Sequence, residues 1–164
     1  MLQYVSGDIL LTKAQAIAHG IAPGDHFDSG LALSLRQAYP TMYKDFRHYC
    51  KTASPKAGTT WTWGGTGGVR VVNLFTQDPA ENEGGRPGPA TMQHVNHALK
   101  ALADEVRAEG YTSVALPRLA TGVGRLDWAD VKPSLEQHLG DLDVPVIVYA
   151  EFHAGVAADE VLPA

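Results

Sequence analysis

Four short apolar runs, spaced along the chain with helix-like segments between most of them, constrain the fold more than any other feature. They are AQAIAHGIA (14–22), GVRVVNLF (68–75), SVALP (113–117) and VPVIVYAEF (144–152). GVRVVNLF is apolar enough to be buried on both faces, which is the signature of a strand inside a mainly parallel sheet. LQYVSG (2–7) and TTWTWGG (59–65) read as further strands. Between them lie helical patterns. GLALSLRQAY (30–39) is one, and Pro40 both ends it and opens the next. In that next helix Met42, Tyr43, Phe46, Tyr49 and Cys50 recur at helical spacing. From Ala90 to Gly110 the set Val95, Ala98, Leu99, Leu102 and Val106 marks an amphipathic helix. Asp127 reads as the N-cap of a last helix opening at Trp128, with Asp130 favourable in its first turn. Strands alternating with helices predict a three-layer α/β/α sandwich around a mixed, mostly parallel sheet.

The 164 residues suit one domain. Residues from 153 to 164 have no pattern and are expected to form a loose tail outside a domain of 1–152. Gln77 to Pro89, with three glycines and three prolines, reads as a long mobile loop of the kind that covers a functional site. Trp61 and Trp63, two apart on one strand, should share a face. The net charge of −5 argues against broad binding to a nucleic-acid backbone. Cys50 is the one cysteine, which excludes an internal disulfide and a cysteine-based zinc site. His94 and His97 sit one helical turn apart; two histidines on a polar helix face are the simpler reading than a metal pair. Neither metal nor cofactor is expected. No apolar run approaches 18 residues and no signal peptide is recognised, so a cytoplasmic location is expected. A monomer is expected as well.

In a sheet of this type ligands bind outside the carboxyl ends of the strands. Four loops take that position: SGDIL, APGDHFDSGLA, FTQD and RLATGVGRL. Two of them are rich in small residues and precede helices. Small residues let backbone N–H groups approach an anion, and a helix N-terminus adds partial positive charge. Two such loops side by side suit a diphosphate. Each piece alone has a plainer reading: Gly122 and Gly124 as turn glycines, Asp8 as a surface turn residue, His19 as a satisfied core histidine. TGVGRLDW lacks the third glycine of a dinucleotide fingerprint, and no P-loop lysine is present, which argues against a Rossmann dehydrogenase or an NTPase.

Taken in order, YVSGDIL, AIAHGIAPGDHFDSGLA, VVNLFTQ, ALPRLATGVGRLDW and VPVIVYA resemble a macrodomain, the ADP-ribose-binding module. The resemblance runs from about Leu2 to Tyr149. It is strongest to the branch that includes the terminal ADP-ribose glycohydrolase and the DNA ADP-ribosyl glycohydrolase antitoxins. It implies that Asp8, with the Ile9 backbone beside it, reads the adenine amino group. It implies that Gly30, Leu31 and Ala32 lie near the diphosphate and distal ribose. Thr121, Gly122, Val123, Gly124 and Arg125 would form the second diphosphate loop. Phe75, Thr76 and Gln77 would line the distal ribose, with core packing an equal account of Phe75. The implied partner is ADP-ribose or an ADP-ribosylated macromolecule.

The departures from the family pattern bear on chemistry. The glycohydrolases of this branch carry a nucleophilic lysine where this chain has Gln77, and glutamine is no nucleophile at neutral pH. They carry an aspartate where this chain has Gly124; Asp127 lies three residues on. The asparagine used in another branch is absent from AHGIA. The first loop instead reads DHFDSGLA, and Asp25, His26 and Asp28, with His19 just below, could activate a water or protonate a leaving group. The expectation is an ADP-ribose-binding hydrolase acting by water attack at the distal ribose of a protein, nucleic-acid or small-molecule conjugate. The alternatives are a non-catalytic reader, a phosphatase acting on ADP-ribose 1″-phosphate, and a binder of another NAD-derived signal.

Overall fold

The computed structural model describes residues 1–82 and 85–163. Six strands and four helices follow one another as β1 (Leu2–Gly7), β2 (Ala16–Ile21), α1 (Gly30–Ala38), α2 (Pro40–Ala53), β3 (Thr60–Gly64), β4 (Arg70–Phe75), α3 (Met92–Glu109), β5 (Val114–Pro117), α4 (Trp128–Leu139) and β6 (Val146–Phe152). The sheet order is β1-β6-β5-β2-β4-β3. All neighbours are parallel except β3 and β4, so the sheet is mixed and mostly parallel.

The side-chain alternation along β4 builds the three layers. Val72 and Leu74 point to the face covered by α3 and α4, where they meet Leu99, Leu102 and Leu135. Val71 and Phe75 point to the face covered by α1 and α2, where Leu35, Met42 and Phe46 wait. A period of two on the strands meets a period near four on the helices, and each face closes over one apolar cluster. Trp61 and Trp63 share the α2 face: Trp61 stacks on Tyr49 at 5.3 Å between ring centroids, and Trp63 lies 5.6 Å from Tyr39. Thr91 caps α3 by accepting from the His94 amide at 3.1 Å, and Gly110 ends it in the left-handed region. Asp127 occupies the cap position of α4, but its side chain accepts no capping hydrogen bond there.

Two segments differ from their sequence reading. The tail is not loose. Ala158 and Leu162 pack on the α1/α2-side core, and the Glu160 carboxylate accepts from the Lys13 amide and from the Tyr149 hydroxyl. A patternless sequence can still be held when its backbone and one or two side chains find partners on the domain. The loop Gln77–Pro89 is tied down at its base. Gln77 bridges to Ala90, the Asp78 amide donates to the Pro89 carbonyl, and His94 Nε2 lies 2.9 Å from Asp78 Oδ1. The middle of that loop, at 83 and 84, lies outside the described residues. Among the described residues no helix is long and apolar enough to cross a membrane.

A candidate ligand cleft at the carboxyl edge of the sheet

A cavity of about 1130 Å³ opens where β2, β5 and β6 end and β4 runs into its loop. That is above the ~300–1,000 Å³ of ordinary small-ligand pockets. It brings together His19, Asp25, His26, Asp28, Gly30, Leu31, Ala32, Gln77, Thr121, Gly122, Val123, Gly124 and Arg125. Loops far apart in the sequence meet because parallel strands place all their carboxyl ends on one edge. Asp8 and Ile9 are not among its walls. They lie beyond Phe152, whose backbone pairs with Gly7. Phe75 and Thr76 are fully buried and line no part of it; Phe75 belongs to the α1/α2-side core. Core packing therefore accounts for Phe75 in this structure.

The first loop is shaped by Phe27. Its backbone is left-handed, at φ 54°, and its side chain is fully buried. The ring packs 4.8 Å from Phe46, 5.5 Å from Tyr43 and edge-on to His19 at 5.6 Å. Asp25 holds this turn: its Oδ1 accepts from the Phe27 amide at 2.7 Å. Helix side chains also grip the loop backbone. Arg47 donates to the Gly24 carbonyl, and Arg36 donates to the His26 carbonyl at 3.1 Å. Burial raises the Asp25 pKa, and the nearby Asp28 charge adds to this against the Phe27 amide, His26 and Arg47.

His19 is 2 % exposed at the cleft floor. Its Nε2 lies 2.6 Å from Asn73 Oδ1, while Asn73 Nδ2 donates to the Trp61 carbonyl at 3.3 Å. The amide is therefore oriented with its oxygen toward the ring. Nε2 carries the proton, and Nδ1 is left as an acceptor. Burial lowers the His19 pKa to about 4, only partly opposed by the Asn73 hydrogen bond, so the ring is neutral at physiological pH.

The second loop is a tight turn with two left-handed non-glycine residues, Ala120 at φ 61° and Arg125 at φ 65°. Such backbone is held only when its surroundings over-determine it. Here the Leu126 amide donates to the Ala120 carbonyl at 3.0 Å and the Arg125 amide to the Gly122 carbonyl at 3.1 Å. Among the described residues the amides of Thr121, Gly122, Val123 and Gly124 have no protein acceptor. Across the cleft the first amides of α1, from Gly30 to Ala32, form a second such group at a helix N-terminus. Among the described residues, five basic side chains (Arg47, Lys51, Arg86, Arg118 and Arg125) line the cleft against three acidic ones (Asp25, Asp28 and Glu81), although the chain carries −5 overall. An anion with two charged groups is the ligand that these donors suit.

Two of the departures from the family pattern, at Gly124 and Gln77, are built in. A Cβ on Gly124 would sit 2.7 Å from the Ala120 carbonyl oxygen and 2.9 Å from Ala90 Cβ, so no longer side chain fits there. Gln77 is 4 % exposed, and its Nε2 donates to the Gly88 carbonyl at 3.1 Å. Among the described residues no three His, Cys, Asp or Glu side chains are grouped to hold a metal.

The fold is shared with solved macrodomains. That of Thermus aquaticus DarG superposes with a TM-score of 0.79 at 25% identity, covering 92% of this chain and 98% of that one. That of Mycobacterium tuberculosis DarG gives 0.79 at 25%, covering 90% and 96%. The chain has the macrodomain fold. No family model matches it. Among curated proteins, this chain is 27% identical over 153 residues to a Mycobacterium tuberculosis protein named DNA ADP-ribosyl glycohydrolase, covering 91% of this chain and 42% of that protein. The Thermus aquaticus protein of the same name is 26% identical over 150 residues, with 91% and 41% covered. The chain thus spans about two fifths of the length of these relatives. Human ADP-ribose glycohydrolase OARD1 is 21% identical over 149 residues, covering 90% of each.

Sequence reading missed Phe27, Arg47, Asn73 and Phe152. Asn73 carried a signal, since it is the one polar residue inside VVNLF. Phe152 closes the last strand and is 69% exposed at the cleft, a position that only the sheet register reveals.

Proposed function

We propose that this macrodomain binds ADP-ribose in the cleft and hydrolyses its bond to a protein, nucleic-acid or small-molecule conjugate. The observation that carries the reading is the pair of facing amide groups, at the start of α1 and along Thr121–Gly124, on the two walls of one cleft. A diphosphate between them takes up otherwise unpaired donors without a full charge. The names of the curated relatives support the same chemistry. In this reading Asp8 and Ile9 meet the adenine, Gly30–Ala32 and Thr121–Arg125 hold the diphosphate, and the distal ribose lies toward Asp25, His26, Asp28 and His19. Phe75 and Thr76 act only from behind the cleft wall. The protein works as a cytoplasmic monomer on a bound nucleotide rather than along a nucleic-acid backbone.

The chemical step is water attack on the anomeric carbon of the distal ribose. The carbon–oxygen bond to water forms, the bond to the conjugate breaks, and the departing atom takes a proton. Asp25 is the preferred base: burial raises its pKa, and one of its oxygens remains beyond the Phe27 amide bond. His19 is neutral and accepts a hydrogen bond at Nδ1 from a ribose hydroxyl or the water. His26 and Asp28 assist the departing group. Calorimetry with ADP-ribose, paired with hydrolysis of ADP-ribosylated protein and DNA, tests the reading. Asp25→Ala, His26→Ala, Asp28→Ala and His19→Ala are compared singly. Loss of turnover with binding retained supports a residue's role, and unchanged turnover in all four overturns the assignment. A reader without chemistry is the second reading, favoured by the hydrogen-bonded Gln77 and the closed space at Gly124. Tight binding with no product from any conjugate would establish it.

A further inference from the structure

The segment that follows β6 turns back over the end of β1 and grips the backbone and side chain of Asp8. The His153 amide donates to the Gly7 carbonyl at 3.0 Å, and the Asp8 amide donates to the Val156 carbonyl at 2.7 Å. Between them Gly155, left-handed at φ 73°, donates its amide to Asp8 Oδ2 at 2.9 Å. The other carboxylate oxygen, Oδ1, accepts from the Leu10 amide at 3.0 Å. Asp8 is thus held from two sides by backbone donors, one near in sequence and one 147 residues away. Gly7 leaves the room for this seat: a Cβ there would lie 2.8 Å from the Val156 carbonyl oxygen.

Further along, the segment is anchored twice more. Glu160 accepts from the Lys13 amide at 2.9 Å, the Tyr149 hydroxyl at 2.7 Å and the Thr12 hydroxyl. Gln3 and Val161 exchange a reciprocal pair, at 2.7 and 2.9 Å. These anchors fix the strap, and the strap fixes the carboxylate.

We infer that residues 153–161 are a positioning strap for base selection, orienting Asp8 so that its remaining lone pairs meet the exocyclic amine of a 6-aminopurine. This rests on the ADP-ribose reading of the cleft. A carboxylate has about four acceptor sites, and the two backbone donors take two of them. One donor on each oxygen holds the carboxylate in a single orientation, and at its remaining sites a 6-amino group finds a partner whereas a 6-oxo group meets only acceptors. A carboxylate free to rotate would discriminate less, because a rotated or solvated geometry tolerates the oxo group.

The test compares ADP-ribose with inosine diphosphate ribose by calorimetry on the full chain and on a variant ending at Phe152. Circular dichroism monitors folding. A second variant, Glu160→Ala, releases the strap's anchor while leaving every residue in place. The full chain should prefer ADP-ribose at least tenfold. Deletion should weaken ADP-ribose about tenfold with little change for the inosine compound, and Glu160→Ala should move the ratio the same way by about threefold. In an Asp8→Ala background the deletion should change neither affinity, as two parts of one unit require. An unchanged ratio in both folded strap variants overturns the inference, and so does tighter ADP-ribose binding after deletion. A full chain that binds ADP-ribose with no preference overturns it while leaving the cleft reading intact; a full chain that binds neither overturns both.

Discussion

Gly124 and Gly122 stand two residues apart in one loop, and the structure gives them opposite sensitivities. A Cβ on Gly124 would sit 2.7 Å from the Ala120 carbonyl oxygen, which accepts from the Leu126 amide at 3.0 Å, and 2.9 Å from Ala90 Cβ. Neither neighbour is the far end of a flexible side chain, so the backbone itself must give. Overpacking of this kind costs ~1–3 kcal/mol. Weakening the Leu126–Ala120 hydrogen bond adds about 1 kcal/mol. Gly124→Ala should therefore lose about 3 kcal/mol, a fall of roughly 6–12 °C in melting temperature for a domain of this size. A Cβ on Gly122 meets nothing within 4 Å, and its φ is not left-handed. Gly122→Ala should change stability by less than ~0.5 kcal/mol. It should still weaken ADP-ribose binding, by about tenfold, if a diphosphate approaches that backbone. Urea unfolding separates the two, since a shifted midpoint at constant slope reports stability alone. Equal stability of Gly124→Ala and the parent would refute the steric argument, and so would a destabilised Gly122→Ala. The same geometry predicts that Gly124→Asp creates no hydrolase by simple replacement, because the fold is damaged before the carboxylate can act.

Three further outcomes follow from the first loop and the cleft floor. His19 is expected to make the fold acid-sensitive. Its pKa falls from 6.5 unfolded to about 4 folded, so below pH 6.5 the unfolded chain binds the extra proton and stability drops until about pH 4. The contribution is on the order of 3 kcal/mol, and His19→Gln should flatten that part of a pH series of unfolding midpoints; an unchanged slope would disprove it. Asp25 behaves differently according to the substitution. Asp25→Asn keeps an oxygen for the Phe27 amide and removes a charge that burial disfavours, so it should be at least as stable as the parent at pH 7, whereas Asp25→Ala should lose about 1 kcal/mol with the hydrogen bond. Asn less stable than Ala in thermal melts would reverse the account. Phe27→Ala should cost ~3–5 kcal/mol, as for other buried aromatics, and should blunt ADP-ribose binding as the loop loses its anchor; binding equal to the parent in calorimetry would show that the loop holds its shape without the ring.

Much of the fold was legible because local patterns and the global arrangement agree. Apolar runs such as VVNLF could only be strands covered on both faces, and Pro40, Gly110 and the Leu99–Leu102–Val106 spacing bounded and faced the helices. The order of the loops, and with it the edge on which the cleft opens, follows from parallel connectivity alone. The order of motifs also carried the resemblance to macrodomains, and the substitutions at Gln77 and Gly124 could be read off directly. What required the tertiary structure is everything set by contacts between distant segments. That Phe27 faces inward, that Asn73 sets the His19 tautomer, that Phe75 is core, and that Gly124 has no room for a side chain all depend on neighbours 30 or more residues away or on a backbone turn without a sequence period. The tail shows the difference most sharply. Its residues have no apolar repeat, so nothing local announces order. Its hydrogen bonds reach across nearly the whole chain to Gln3, Asp8 and Lys13, and such pairings exist only once the sheet has placed β1 beside β6.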